Sequence, residues 1–259
     1  MKIEEKLNEK QGHWILAKVG KKVLRPGGRE LTKLLMKAME ITSNDDVVEF
    51  APGLGFTAAI ACSKKPKSYT GVDNNKEASA LAKKYVNYDK AKMIVADASK
   101  TTLPDGYATK VYGEAMLTMQ SLEHKKEIIR EASRILKPGG YYGIHEMGLQ
   151  PENISEEIKK SVYKNISANI RVPARPLTIS EWSKLLEEEG FKIVKVHSNA
   201  MALLEPKRVI QDEGFFRTLK IGFNVLRFGD LRKRIFQMRK TFKKHQNDIN
   251  AVAIVAQKS

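Results

Sequence analysis

Short apolar runs bounded by turn residues alternate along this chain with segments whose apolar positions recur every three or four residues, the pattern of an α/β protein. Val47, Val48 and Phe50 form the first run and predict a strand, since parallel strands are covered on both faces and read as nearly unbroken apolar stretches. Similar runs predict strands over 69–73, 92–96, 110–114, 141–147, 191–197 and 249–256. Helical spacing predicts helices over 3–18, through Ile3, Leu7, His13, Trp14 and Leu16, and over 29–39. Further helices follow over 74–88, 123–136 (core face Ile128, Ile129, Ala132, Ile135), 155–169 and 180–189, the last starting at a Ser180 cap and stopping at Gly190.

The strand ends carry the chemistry. Glu49 closes the first strand, and Gly53 and Gly55 follow in a tight turn before a helix opens at Phe56. Glycine lets backbone approach a ligand closely, and a helix start offers unpaired N–H groups. Asp73 ends the second strand, about 20 residues on, where a ribose-holding carboxylate is expected. Asp97 follows the third strand and Glu114 ends the fourth. These groups share the carboxyl edge of a sheet, where open α/β sheets bind ligands.

With those positions in place, the chain resembles the class I S-adenosylmethionine-dependent methyltransferases. The family's E-x-G-x-G-x-G motif appears as Glu49-Phe50-Ala51-Pro52-Gly53-Leu54-Gly55, with Ala51 in place of the first glycine. Asp73 and Asp97 match its second and third acidic positions, and Leu136-Lys137-Pro138-Gly139-Gly140 matches a segment found before strand five. The resemblance spans roughly residues 45–147. It implies a Rossmann-like, doubly wound sheet of seven strands, the seventh antiparallel. N-terminal helices over 1–44 would cover the site, and the methyltransferase domain over 45–259 would carry helical cap insertions near 148–176 and 198–247. It also implies S-adenosyl-L-methionine as cofactor. In that reading Glu49 positions the amino end of the methionine moiety, and Ala51, Pro52, Gly53 and Gly55 pass close through their backbone. Asp73, with Asn74 beside it, takes the ribose hydroxyls; Asp97 and Ala98 meet the adenine. Glu114 and Ala115 border the methionine arm. Arg25, on the turn between the N-terminal helices, either reaches the cofactor carboxylate or is a surface arginine.

His145 and Glu146, at the end of strand five, and His13 are the candidate acid–base groups for the acceptor. Alternation along a strand points the first two to opposite faces, so only one of them is expected to meet a substrate. His13 and Trp14 either line the substrate pocket or pack their helix onto the domain.

Composition narrows the setting. A single cysteine, Cys62, excludes a disulfide framework and a multi-cysteine metal site, and no metal is expected. No apolar window of membrane-spanning length exists, and the first ten residues lack the apolar core of a signal peptide, so a cytoplasmic location is expected. The net charge of +16 is high for an enzyme of small molecules and points toward an anionic partner. Much of it lies between Lys207 and Lys244, where 12 Lys/Arg face 3 Asp/Glu, a net of +9. Phe215, Phe216, Leu219, Phe223, Leu226, Leu231, Ile235, Met238 and Phe242 recur there at helical steps, with a break near Gly229. Three readings of this basic amphipathic hairpin stay open: a cap over the acceptor pocket, a dock for an anionic membrane surface, or, less favoured, a nucleic-acid contact.

The expected function is methyl transfer to a small organic acceptor under the cap. Methyl transfer to a lipid or quinone-like acceptor at an anionic membrane is the alternative. A non-catalytic cofactor-binding module that engages RNA is a third reading. A nicotinamide-dependent dehydrogenase fits less well, because G-x-G-x-x-G spacing is missing around Gly53 and Gly55.

Overall fold

The structure is a computed structural model and describes residues 11–259. Ile3 and Leu7, assigned above to the first helix, lie outside the described residues. Two helices, α1 (Gly12–Lys18) and α2 (Gly28–Ala38), precede β1 (Asp46–Phe50). There follow α3 (Phe56–Cys62), β2 (Ser68–Asp73), α4 (Lys76–Tyr85), β3 (Ala91–Val95), β4 (Ala108–Glu114), α5 (Leu122–Ile135) and β5 (Leu136–Leu149). Beyond the sheet centre come α6 (Glu156–Ile170), α7 (Ile179–Glu188), β6 (Phe191–Ala200), α8 (Pro206–Glu213), α9 (Phe215–Arg227), α10 (Gly229–Lys244) and β7 (Ile249–Lys258).

The seven strands form one sheet in the order β3-β2-β1-β4-β5-β7-β6. The first five pair in parallel, and β7 runs antiparallel between β5 and β6. This is the Rossmann-like arrangement expected, antiparallel seventh strand included. Each face is buried. Val48, Phe50 and Val111 pack with Ile128 and Ile129 of α5 and Trp182 of α7 on one side. Val47, Tyr69 and Tyr112 pack with Leu31, Leu35 and Met39 of the α2 region and Ala58 and Ala61 of α3 on the other. A third apolar cluster joins α1, α6, α9 and α10 through Ile15, Val162, Ile166, Ile221, Ile235 and Met238. It forms a helical layer over the carboxyl end of β5, where Met147 and Leu149 also belong to it.

Three details differ from the sequence reading. The seventh helix is capped by Thr178 and not Ser180: Thr178 and Glu181 make a reciprocal capping box, which satisfies two helix-end N–H groups at once. β5 starts at Leu136, because the Leu136–Gly140 segment itself joins the strand. The basic hairpin is three helices, with an added break at Gly214, whose φ of 80° suits glycine.

Candidate active site

Parallel pairing fixes where the strand-end acids fall. Glu49 lies opposite Gly71, Asp73 opposite Val95 and Glu114 opposite His145, so the acids of three strands reach one edge. A cavity of about 740 Å³ opens there, within the usual range of roughly 300–1,000 Å³ for small-molecule pockets. Glu49, Ala51, Pro52, Gly53, Asp73, Asn74, Asp97, Ala98, Glu114 and Ala115 all line it, as do Arg25 and His13. Gly55 does not line it. Its place is structural, since a Cβ there would meet the Ala82 backbone at 2.9 Å, and its φ is 79°.

The carboxylates are held differently. Glu49 is buried and accepts hydrogen bonds from the Tyr69 and Tyr112 hydroxyls, the latter at 2.6 Å. Burial dominates its titration and pushes its carboxyl up to about 7, against the pull of the two tyrosines. Glu114 accepts from Thr32 Oγ1 at 2.6 Å and from Thr57 Oγ1, and lies 3.3 Å from Arg25 Nε. Burial would raise its carboxyl too, but the Arg25 charge and the His145 hydrogen bond hold it at about 2. Asp73 accepts from the N–H of Asn75 at 2.9 Å and of Gly53 at 3.4 Å, and burial raises it in spite of them. Asp97 is more open; bonds from Ser99, with His124 nearby, outweigh its partial burial and keep it low.

The segment carrying Arg25 is pinned from the cap. Glu213, at the end of α8, accepts from the N–H groups of Lys22 at 2.7 Å and Val23 at 2.8 Å. Its neighbour Asp212 accepts from Arg29 N at 2.8 Å. Arg25 lines the cavity, so it is not a mere surface arginine, but its Nε is directed at Thr32 and Glu114.

Two of the three acid–base candidates need correction. His145 and Glu146 are both fully buried and neither lines the cavity. His145 sits between the Glu114 carboxylate at 2.7 Å from Nδ1 and the Pro26 carbonyl at 2.6 Å from Nε2. With an acceptor on each side, neither ring nitrogen is left to take a proton from a substrate. Glu146 accepts from the N–H groups of Met116, Leu117 and Thr118 at 2.8–3.0 Å, and from Thr118 Oγ1 at 2.7 Å. It anchors the turn after β4. Strand alternation did separate the two side chains, but each went to a structural partner.

Two alanines on the lining, Ala51 and Ala115, occupy the left-handed region at φ 52° and 53°. For a residue with a Cβ this costs about 1–2 kcal/mol, and such strain collects at functional edges where surrounding contacts impose it. Here Ala51 N donates to Val72 O and Ala115 N donates to His145 O, both at 2.7 Å. The alanine in the glycine motif therefore keeps the glycine conformation.

The far wall is different in kind. Trp14, Leu16, Ile170, Val172, Pro173, Leu203 and Phe242 line it, with Met147, Met201 and Met238, while Met116 and Met119 line the cavity from the turn after β4. Five of the chain's nine methionines thus face one cavity. His13 sits among them, its ring 4.8 Å from that of Trp14, and burial pushes its pKa down to about 4. His124, near Asp97 at 3.6 Å, is a lining residue that the sequence reading missed. The sequence reading also missed Thr57, on the lining, and Thr32, Tyr69 and Tyr112 behind it, the hydrogen-bond partners of the buried acids; nothing in their local sequence marks them, because they come from separate elements.

Fold and site define a doubly wound α/β protein with an acid-edged cavity under a helical layer. Residues 48–144 match the family model described as a methyltransferase domain. A protein of Haemophilus influenzae, described only as uncharacterized, is 34% identical over 251 residues, covering 95% of this chain and 98% of that one. The erythromycin 3''-O-methyltransferase of Saccharopolyspora erythraea is 25% identical, covering 80% of this chain and 71% of its own. Among solved structures, the phosphoethanolamine N-methyltransferase 2 of Haemonchus contortus, in complex with S-adenosyl-L-methionine, aligns with a TM-score of 0.72 at 16% identity. That alignment covers all of this chain and 60% of the other. The chain belongs to the class I S-adenosylmethionine-dependent methyltransferases.

Proposed function

We propose that the protein transfers a methyl group from S-adenosylmethionine to a small, largely apolar organic acceptor held under the helical cap. The observation that carries this reading is the division of one cavity into a carboxylate-edged end and a methionine-rich end. The first end fits the donor's chemistry: four acids, Glu49, Asp73, Asp97 and Glu114, border a space for a cationic, hydroxyl-bearing molecule. When bound, the donor supplies a methyl on a sulfonium that leaves as a neutral thioether. Catalysis then rests mainly on alignment and exclusion of water. Asp73 is assigned to the ribose hydroxyls, Asp97 to the adenine edge and Glu49 to the ammonium end.

The second end fits an acceptor with substantial apolar surface, because methionine walls adapt to varied shapes. An acceptor hydroxyl or ammonium must lose a proton, and His13 is the candidate base that faces the cavity. Burial that lowers its pKa to about 4 keeps the ring neutral at neutral pH and open to a hydrogen bond from the acceptor, while making it a weak base for that proton. Two curated relatives name different methylated atoms, an oxygen in the erythromycin enzyme and a nitrogen in the phosphoethanolamine enzyme of Plasmodium falciparum. A lipid- or quinone-like acceptor is the second reading, supported by the same apolar wall.

The test is transfer of labelled methyl from S-adenosylmethionine to a panel of apolar alcohols, phenols and amines, with RNA and a charged phosphoamine as controls. Transfer to an apolar member is expected, with His13→Ala lowering kcat by about 10²–10⁴. Transfer confined to RNA or the phosphoamine, or an unchanged kcat in His13→Ala, would count against it.

A further inference from the structure

Helix α9 is apolar on two opposite sides. Its inner side seats Ile221 in the helical cluster, and Asn224 Nδ2 donates to the Val19 carbonyl at 3.0 Å. Its outer side presents Phe215, Phe216, Leu219, Phe223 and Leu226 at 61, 85, 56, 64 and 65% exposure. At about 100° per residue these five fall within an arc of roughly 100°, so they make one continuous face. Phe228 and Phe236 are exposed as well. A contiguous apolar face of this kind marks a contact surface. Its surroundings are basic: Lys220 and Arg227 on α9, and Lys233 and Lys240 on α10, are all exposed.

We propose that this outer face of α9 docks on the surface of an anionic lipid bilayer, with the phenylalanines among the acyl chains and the lysines and arginines at the headgroups. Charge selects this occupant. The 207–244 segment carries a net +9, so a second copy would bring two such segments together and repel itself. An anionic surface is attracted instead, by about 1 kcal/mol for each basic residue near it. Five adjacent large apolar side chains match hydrocarbon better than the phosphates and spaced bases of a nucleic acid. Among the described residues no helix is long and apolar enough to cross a membrane, so the contact is interfacial. Docking would also lay the membrane against the cap, because the next helix, α10, carries Met238 and Phe242 of the cavity wall. The inference goes beyond methyl transfer and does not rest on it.

Flotation of the full chain with vesicles tests it without cofactor. Binding to mixed phosphatidylcholine–phosphatidylglycerol vesicles is expected, with little to phosphatidylcholine alone and weakening as salt rises. The double variant Phe216→Asp, Phe223→Asp should lose about tenfold or more in partitioning while its thermal melt stays near wild type, since both rings are exposed. Phe216→Trp should show a blue-shifted emission with the anionic vesicles only. Undiminished partitioning in the double variant would overturn the proposal. So would RNA binding in place of vesicle binding, or a lipid-free dimer that the double variant dissolves.

Discussion

At the strand edge, each carboxylate of the cavity is placed by named partners: two tyrosines for Glu49, two threonines, Arg25 and His145 for Glu114, two backbone N–H groups for Asp73, and Ser99 for the more open Asp97. Under the cap, the wall is methionine, proline and aliphatic or aromatic carbon, with His13 the titratable group among them. The first end is rigid and chemically specific, because buried charges persist only where their partners are fixed. The second is adaptable. A family that keeps one donor and varies its acceptors needs this division, and the comparison explains why the donor is readable here and the acceptor is not.

Removing the hub of the rigid end should have the largest effect. Glu114→Ala leaves Arg25 and His145 facing a vacated buried site and should destabilise the fold by about 3–5 kcal/mol in urea unfolding. A loss under 1 kcal/mol would show that these partners do not depend on it. Next, Glu146→Gln keeps an oxygen for the Met116 and Leu117 N–H groups but sets amide hydrogens against the Thr118 N–H, and should cost about 1–3 kcal/mol. The pH profile of methyl transfer should keep its shape in this variant, while a lost limb would restore an acid–base role to Glu146.

Glu49 gives an effect of similar or smaller size with a definite sign. Its folded pKa of about 7 lies above the unfolded 4.5, so the folded protein binds the extra proton between those values. Stability from this group is full below pH 4.5 and is lost as pH rises through 7. Glu49→Gln should flatten that decline, by at most about 3 kcal/mol across the window, in melts run from pH 4 to 8. A parallel decline in both proteins would contradict the assignment. The smallest effect is expected at the adaptable end: Met238→Leu should change stability by less than about 1.5 kcal/mol but reorder acceptor preference. Loss of donor affinity in that variant would erase the distinction between the two ends.

The sheet and the acids at its edge were legible because they lie in short contiguous motifs, Glu49–Gly55, Asp73 and Asp97, set at strand ends by the apolar pattern. The cap was legible only as amphipathic helix, and its Gly214 break escaped because one glycine in a helical pattern does not announce a turn. His145 and Glu146 misled for a physical reason. Strand-end position brings a residue to the active edge, but whether it faces a substrate depends on the Pro26 carbonyl and the Met116–Thr118 backbone, which arrive from distant chain. The same blindness hid Tyr69 and Tyr112, which are ordinary strand aromatics until they meet Glu49.

Calorimetric titration of the protein with S-adenosylmethionine, S-adenosylhomocysteine and NAD, on wild type and on Asp73→Ala, tests the central assignment most directly. The strand-edge site should bind the first two and not NAD, and Asp73→Ala should weaken both by about tenfold to a hundredfold, as loss of a charge-assisted hydrogen bond worth roughly 1.5–3 kcal/mol requires. Binding of NAD alone, or donor binding untouched by Asp73→Ala, would contradict it.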